Sequence, residues 1–335
     1  MFAKTKMKQC WIISEGAAGM ENQALGLTNA LGIKPICIRI PKPPLHNLIP
    51  PHLQFRDQLI RILKEHAPKE ISNVKDPSIV ISCGHKSVAY SIALRRKARG
   101  ETHTIHIQNP RVNLRFFDLI IAPKHDKIKG KNVITTNGAI HNITKPKLDI
   151  AKKQFSNAFN PLEKPIILAL IGGSSKRFVF DVQAAKKIGK ELRSITLKKR
   201  GSLIATTSRR TSKGVQEVLK NELRGVPGSI WTGEGKNPFL GYLAHADYIL
   251  VTCDSITMTS EAVATGKPVY ILNLEGRGSA RFKEFHATFS EAGYIRWYKG
   301  DLSDWNYVIP TETELAAEKT KNFLGHKLLD LQQGL

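Results

Sequence analysis

The chain has 335 residues, 41% hydrophobic and 24% charged, with 25 Gly and 17 Pro that follow no period. That excludes a disordered, collagen-like or mucin-like chain and predicts two globular domains. The 51 Lys+Arg against 28 Asp+Glu give a net charge of +23, a field that draws nucleic acid, acidic lipid head groups or phosphorylated substrates.

The excess leans toward the N-terminal part: residues 1–150 hold 24 basic and 10 acidic residues (+14), residues 151–335 hold 27 and 18 (+9). Of the 51 cations 34 are Lys. An AT-rich genome supplies Lys, Ile and Asn without selection for a ligand, so charge alone does not choose between these partners. Lys4, Lys6 and Lys8 precede an apolar run of only four residues, 10–13, too short for a signal peptide. No run reaches the roughly 18 apolar residues of a membrane span. The expectation is a cytoplasmic protein, peripheral at the inner membrane if it meets lipid at all. Cys10, Cys37, Cys83 and Cys253 form no C-x-x-C pair and read as reduced thiols.

In chain order, apolar runs predict strands at 10–14, 36–40, 79–82, 104–108, 119–122 and 133–135, with helices at 21–31, 55–66 and 87–99. The break between the two series lies near the polar, basic stretch 145–164, with Pro146 and Pro161 and followed by Pro165. The alternation then restarts, with strands at 166–171, 203–206, 229–231, 248–252 and 269–272 and helices at 181–199, 211–223, 238–246, 257–265 and 280–292. Residues 312–331 have helical spacing. Alternating strands and helices imply parallel sheets covered on both faces. The expected fold is α/β, two doubly wound Rossmann-like domains facing a cleft. They span 1–150 and 151–310, with 311–335 packing back on the first.

Ligands of such sheets sit beyond the carboxyl ends of the strands. After the first strand comes Ser14-Glu15-Gly16-Ala17-Ala18-Gly19-Met20-Glu21, neither a dinucleotide fingerprint nor a Walker loop. Gly84-His85-Lys86-Ser87 combines a permissive backbone, an imidazole and a cation, and Lys124-His125-Asp126 offers a base with a neighbour or a capped turn. In the second half, Gly172-Gly173-Ser174-Ser175 suits a diphosphate resting on backbone amides. Thr206-Thr207-Ser208-Arg209-Arg210-Thr211 adds hydroxyls and two guanidiniums, which recognise phosphate in a bidentate way. In Asp254-Ser255-Ile256-Thr257, Ser255 and Thr257 could cap a helix and hold a phosphate. Glu261 is at i+4 from Thr257 and shares its face. A carboxylate there can accept both hydroxyls of a ribose. The alternative is a solvated helix residue, which fits poorly with Ala262-Val263-Ala264 beside it.

Several of these segments, with Ile107-Gln108-Asn109-Pro110-Arg111 and Trp231-Thr232-Gly233-Glu234-Gly235-Lys236-Asn237-Pro238-Phe239, resemble the mitochondrial-fission "elongated mitochondria" family of alphaproteobacteria and plants. The likeness covers nearly the whole chain. Met20 stands where that family usually has His, which removes one candidate base. The family is itself similar to GT-B glycosyltransferases. The turn at Gly172 and residues 254–268 resemble the donor half of the murein N-acetylglucosaminyl transferase, where the equivalent of Glu261 holds the ribose of a uridine nucleotide. The resemblance implies a UDP-linked sugar donor, as substrate, on Gly172, Gly173, Ser174, Thr207, Arg209, Ser255, Thr257 and Glu261. It also implies an acceptor on the first domain and no resident metal or cofactor. Glu21, His85 and Asp126 are the candidate bases.

Two functions follow from this reading. One is a nucleotide-sugar-dependent glycosyltransferase acting on a phosphorylated or lipid-linked acceptor at an anionic membrane surface. The other is a non-catalytic scaffold on the same fold, acting in membrane or organelle division. A nucleic-acid partner is disfavoured: there is no reader motif, and aromatic residues are 7% of the chain.

Overall fold

The computed structural model describes residues 9–43, 48–69, 76–276 and 278–325. Lys4, Lys6, Lys8 and the last part of the expected terminal helix, 326–331, lie outside them. Two compact units emerge, Met1–Asn142 with Thr311–Leu335, and Ile143–Pro310. Each carries its own six-stranded sheet, parallel throughout.

The first unit contains β1 (Cys10–Ser14), β2 (Pro35–Arg39), β3 (Ile79–Cys83), β4 (His103–Ile107), β5 (Leu119–Pro123) and β6 (Val133–Thr136), in the order β2-β1-β3-β4-β5-β6. Its helices include α1 (Ala18–Leu31), α2 (Arg56–Glu65) and α3 (Val88–Lys97). Successive strand residues face opposite ways. Ile12 and Ile81 therefore join Leu27 and Leu31 of α1 on one face, while Trp11, Ile13 and Val80 meet Leu59, Leu63 and Tyr90 on the other. Burial on both faces is why these strands read as unbroken apolar runs.

The second unit opens with α4 (Lys145–Gln154) and α5 (Ser156–Phe159), so the stretch near which the break is expected is helical and belongs to this unit. Pro146 lies in the first turn of α4, where its missing N–H has no intrahelical partner to lose. There follow β7 (Ile166–Ile171), α6 (Val182–Lys199), β8 (Ser202–Thr207), α7 (Lys213–Glu222), β9 (Gly228–Trp231), α8 (Phe239–His245), β10 (Tyr248–Thr252), α9 (Ile256–Val263), β11 (Val269–Leu272), α10 (Ala280–Glu291) and β12 (Ile295–Trp297). The order is β12-β11-β10-β7-β8-β9, that of a dinucleotide-binding Rossmann sheet. Side-chain caps start three of these helices. Asp181, Ser212 and Ser255 accept the backbone N–H of Ala184, Val215 and Met258 at 2.9, 3.4 and 3.3 Å.

The chain then returns to the first unit as α11 (Glu312–Leu324), which buries Ala316, Ala317 and Leu324 in the core beside α1. Glu312 clasps Asn137, accepting its backbone N–H at 2.8 Å and its side-chain amide at 2.6 Å. Thr313 bonds both backbone groups of His141. Counted by these units the charge is even: 25 basic and 13 acidic residues (+12) in the first, 26 and 15 (+11) in the second. The expected lean toward the N-terminal part disappears once the true boundaries are used. No helix among the described residues is long and apolar enough to cross a membrane.

Candidate functional site

Strand order reverses twice, between β1 and β3 in the first sheet and between β7 and β10 in the second. Loops part there at the carboxyl ends and leave room for a ligand.

In the second unit the loops after β7, β8 and β10 are tied to each other. The N–H of Gly172 donates to Thr252 Oγ1 at 2.7 Å, and that of Gly173 to Asp254 Oδ2 at 3.1 Å. The Thr211 hydroxyl donates to the Gly172 carbonyl. Arg210 donates to the Gly173 carbonyl at 2.9 Å and to Asp254 Oδ2 at 2.6 Å. The Asp254 side chain is wholly buried, and its Oδ1 has no hydrogen-bond partner among the described residues. Glycine is required at both turn positions. A Cβ on Gly172 would lie 2.1 Å from Asp254 Oδ1, and one on Gly173 2.3 Å from the Arg210 backbone. Both amides expected to cradle a diphosphate are therefore engaged within the protein, and a carboxylate lies against Gly172.

The other expected ligands differ in availability. Ser174 is used by its own loop, its hydroxyl donating to the Phe180 carbonyl at 3.1 Å and accepting the Phe180 N–H at 2.9 Å. Thr207 is buried and accepts from Gln216 at 3.4 Å. Arg209 and Arg210 are both exposed, but the Arg210 guanidinium reaches back to the buried Asp254. The turn itself decides this: Ser208 receives the N–H groups of Arg210 and Thr211, so adjacent side chains diverge. Ser255 caps α9 and Thr257 is half-buried in its first turn. Glu261 is 3% exposed and engaged within the protein, so the solvated alternative is excluded. All eight residues thus lie on or just beyond three adjacent strands. Arg210 and Thr211 belong to the segment whose guanidiniums and hydroxyls the sequence points to, and Asp254 opens another such segment, but neither they nor Thr252 are among the eight expected ligands, although they tie these loops together. A carboxylate directly after an apolar strand and before a capped helix was the available signal.

In the first unit, Ser14 donates to Glu21 Oε1 at 2.8 Å and accepts the Gly16 N–H at 3.0 Å. Arg39 grips the same carboxylate through two bonds of 2.8 and 3.0 Å. Glu21 is thus a paired carboxylate, a poor starting point for a base. Lys86 pairs with Glu15, and Gly84, at φ 86°, lets the β3 turn approach Met20. These contacts bring Glu21 and His85 to the β1 and β3 loops. Asp126 stays apart at the end of β5, with its side chain 2% exposed and accepting the Asn109 N–H at 3.2 Å. His85 is half-buried and, like Glu21 and Asp126, engaged within the protein. Below it His106 bonds Ser82 at 2.9 Å; burial first, and the nearby His85 charge second, push it down to about 3. Gln108 and Arg111, at φ 81° and 57°, hold left-handed conformations that cost non-glycine residues about 1 kcal/mol or more each. Among the described residues no group of three or more His, Cys, Asp or Glu is placed to hold a metal ion.

Two doubly wound, Rossmann-like units in one chain define the GT-B fold class. The mitochondrial fission ELM1 family model matches residues 18–324, and the chain belongs to that family. It is 28% identical to mitochondrial fission protein ELM1 of Arabidopsis thaliana, over 95% of this chain and 91% of that one. Among solved structures it resembles the UDP-GlcNAc 2-epimerase of Neisseria meningitidis bound to UDP-GlcNAc, with TM-score 0.52 and 17% identity over 97% and 94% of the chains. It also resembles Os79 of O. sativa, solved with U2F and a trichothecene, with TM-score 0.52 and 13% identity over 97% and 93%. At these identities the likeness is one of fold.

Proposed function

We propose that the chain is a nucleotide-sugar-dependent glycosyltransferase, taking a UDP-linked donor on the second unit and a phosphorylated or lipid-linked acceptor at an anionic membrane surface. One observation carries the reading: at the β7/β10 reversal an exposed guanidinium, Arg210, stands beside the start of α9. The first amides of α9, the Thr257 hydroxyl and Arg210 suit a diphosphate, and Glu261 lies one turn further along the same helix. His85, at the carboxyl end of β3 in the first unit, is the candidate base, a role typically worth ~10²–10⁴ in rate. The epimerase of this fold solved with UDP-GlcNAc lends support by analogy.

The test is a thermal-shift series with UDP, UDP-GlcNAc and UDP-glucose. A ligand at 100 times its Kd adds about 2.7 kcal/mol of stability. UDP release should then appear with a membrane extract of the source cell. The absence of a shift with all three nucleotides would remove the reading. A non-catalytic scaffold is favoured by a different observation, the engagement of both glycine amides within the protein. It predicts no UDP release under any acceptor condition.

A further inference from the structure

Three of the large apolar side chains most exposed on the first unit fall within eight residues: Leu48 at 78%, Leu53 at 62% and Phe55 at 64%. Their loop is held firmly. Pro51–Leu53 is a 3-10 turn with a Pro at its start, Leu53 N–H donates to the Pro50 carbonyl at 2.9 Å, and buried Gln54 reaches back to the Ile49 carbonyl at 3.3 Å. Arg96 of α3 donates to the His52 carbonyl at 2.6 Å, and the His52 ring stacks on Phe116 at 5.1 Å. The apolar side chains are thus presented outward by a braced turn.

Cations ring the same place. Arg96 and Arg115 both lie over the Phe116 ring at 5.6 Å, both are exposed, and neither has an ion pair among the described residues. Arg56 adjoins Phe55, and Arg61 and Lys64 follow on α2. Asp57 and Glu65 offset only Arg56 and Arg61.

We propose that the braced turn 48–55, with Arg96 and Arg115 beside it, attaches this protein to an anionic lipid surface, Leu53 and Phe55 entering the head-group boundary and the guanidiniums meeting phosphate. The inference rests on the membrane part of the reading above and names the surface responsible. A small apolar tip with cations around it, Arg96 and Arg115 among them outside any ion pair with the described residues, matches the layering of a bilayer interface, apolar below and anionic above. A nucleic acid would gain nothing from the apolar tip.

The experiment is sedimentation with vesicles of phosphatidylglycerol and phosphatidylcholine, compared with phosphatidylcholine alone. Wild type is expected to bind the anionic vesicles preferentially. L53S/F55S should lose about tenfold or more in partitioning. R96Q and R115Q should each lose about fivefold and flatten the salt dependence. Leu53, Phe55 and Arg115 are exposed and their side chains make no bond that braces the turn, so melting temperature in L53S/F55S and R115Q should stay near wild type, and an unchanged melting curve accompanies a supporting result; R96Q also removes the brace to the His52 carbonyl, so L53S/F55S and R115Q decide. Unchanged vesicle binding by L53S/F55S, with wild type bound, overturns this surface and leaves the membrane reading standing. No wild-type binding at low salt overturns both. Reversible self-association that is abolished by L53S/F55S, with vesicle binding intact, makes the turn a contact between copies and also overturns the proposal.

Discussion

A carboxylate with one oxygen bound and the other bare sits against Gly172, and it fixes what that position tolerates. G172A places a methyl group 2.1 Å from Asp254 Oδ1, so either the turn shifts or Asp254 leaves Arg210. The expected cost is about 2–4 kcal/mol, read as a lower denaturation midpoint; a midpoint equal to wild type would show the turn to be plastic. Glu261 is buried and engaged, so E261Q should act twice. It should lower stability by about 1–3 kcal/mol and, if the carboxylate also meets a ribose, weaken uridine-nucleotide binding about tenfold. Calorimetry on the one variant separates the two, and unchanged affinity would take Glu261 out of the donor site. The glycines were legible in the sequence because a tight strand-to-helix turn needs them. The choice between Arg209 and Arg210 was not, because a turn sends neighbouring side chains to opposite sides and only the Ser208 bonds decide which reaches back to Asp254.

At the level of elements, β1, β7, β10 and β11 begin and end where the sequence pattern places them, since burial on both faces makes them almost wholly apolar, with Ser14 and Thr252 the buried polar residues that close β1 and β10. Two kinds of element escaped. α4 hid behind its Lys and Pro content, although Pro146 is a first-turn residue. β12, only three residues long with two of them exposed, carries no pattern to read. The placement of α11 depends on polar contacts that pattern cannot show. E312A removes both bonds to Asn137 and leaves a half-buried amide unpaired, an expected loss of about 1 kcal/mol. Hydrogen exchange should quicken across Glu312–Leu324 before it does in α1; equal protection in variant and wild type would mean that the apolar contacts alone hold the helix.

For the molecule as a whole, two buried histidines set an acid limit. Burial pushes His286 down to about 4 and His106 to about 3, the latter helped by the charge of His85. Unfolded, each would titrate near 6.5. Above that value neither state binds the proton, and the full stability is present. Below it the unfolded chain takes up protons that the folded one refuses, so stability falls as pH drops. For His286 the loss is about 3 kcal/mol between pH 6.5 and 4. H286Q should flatten the pH dependence of the melting temperature over that window, and an unaltered slope would assign the acid sensitivity to carboxylates.

The return of α11 to the first unit also bears on synthesis. Ile143–Pro310 is one uninterrupted stretch and can close its sheet as soon as it leaves the ribosome. The unit made first cannot, because Ala316, Ala317 and Leu324 belong to its core. Its α1 face stays uncovered while the whole of Ile143–Pro310 is translated, about 10–30 s at ordinary rates. The N-terminal unit is thus the last to be completed, and a nascent chain stalled before residue 312 would expose that face to chaperones and proteases.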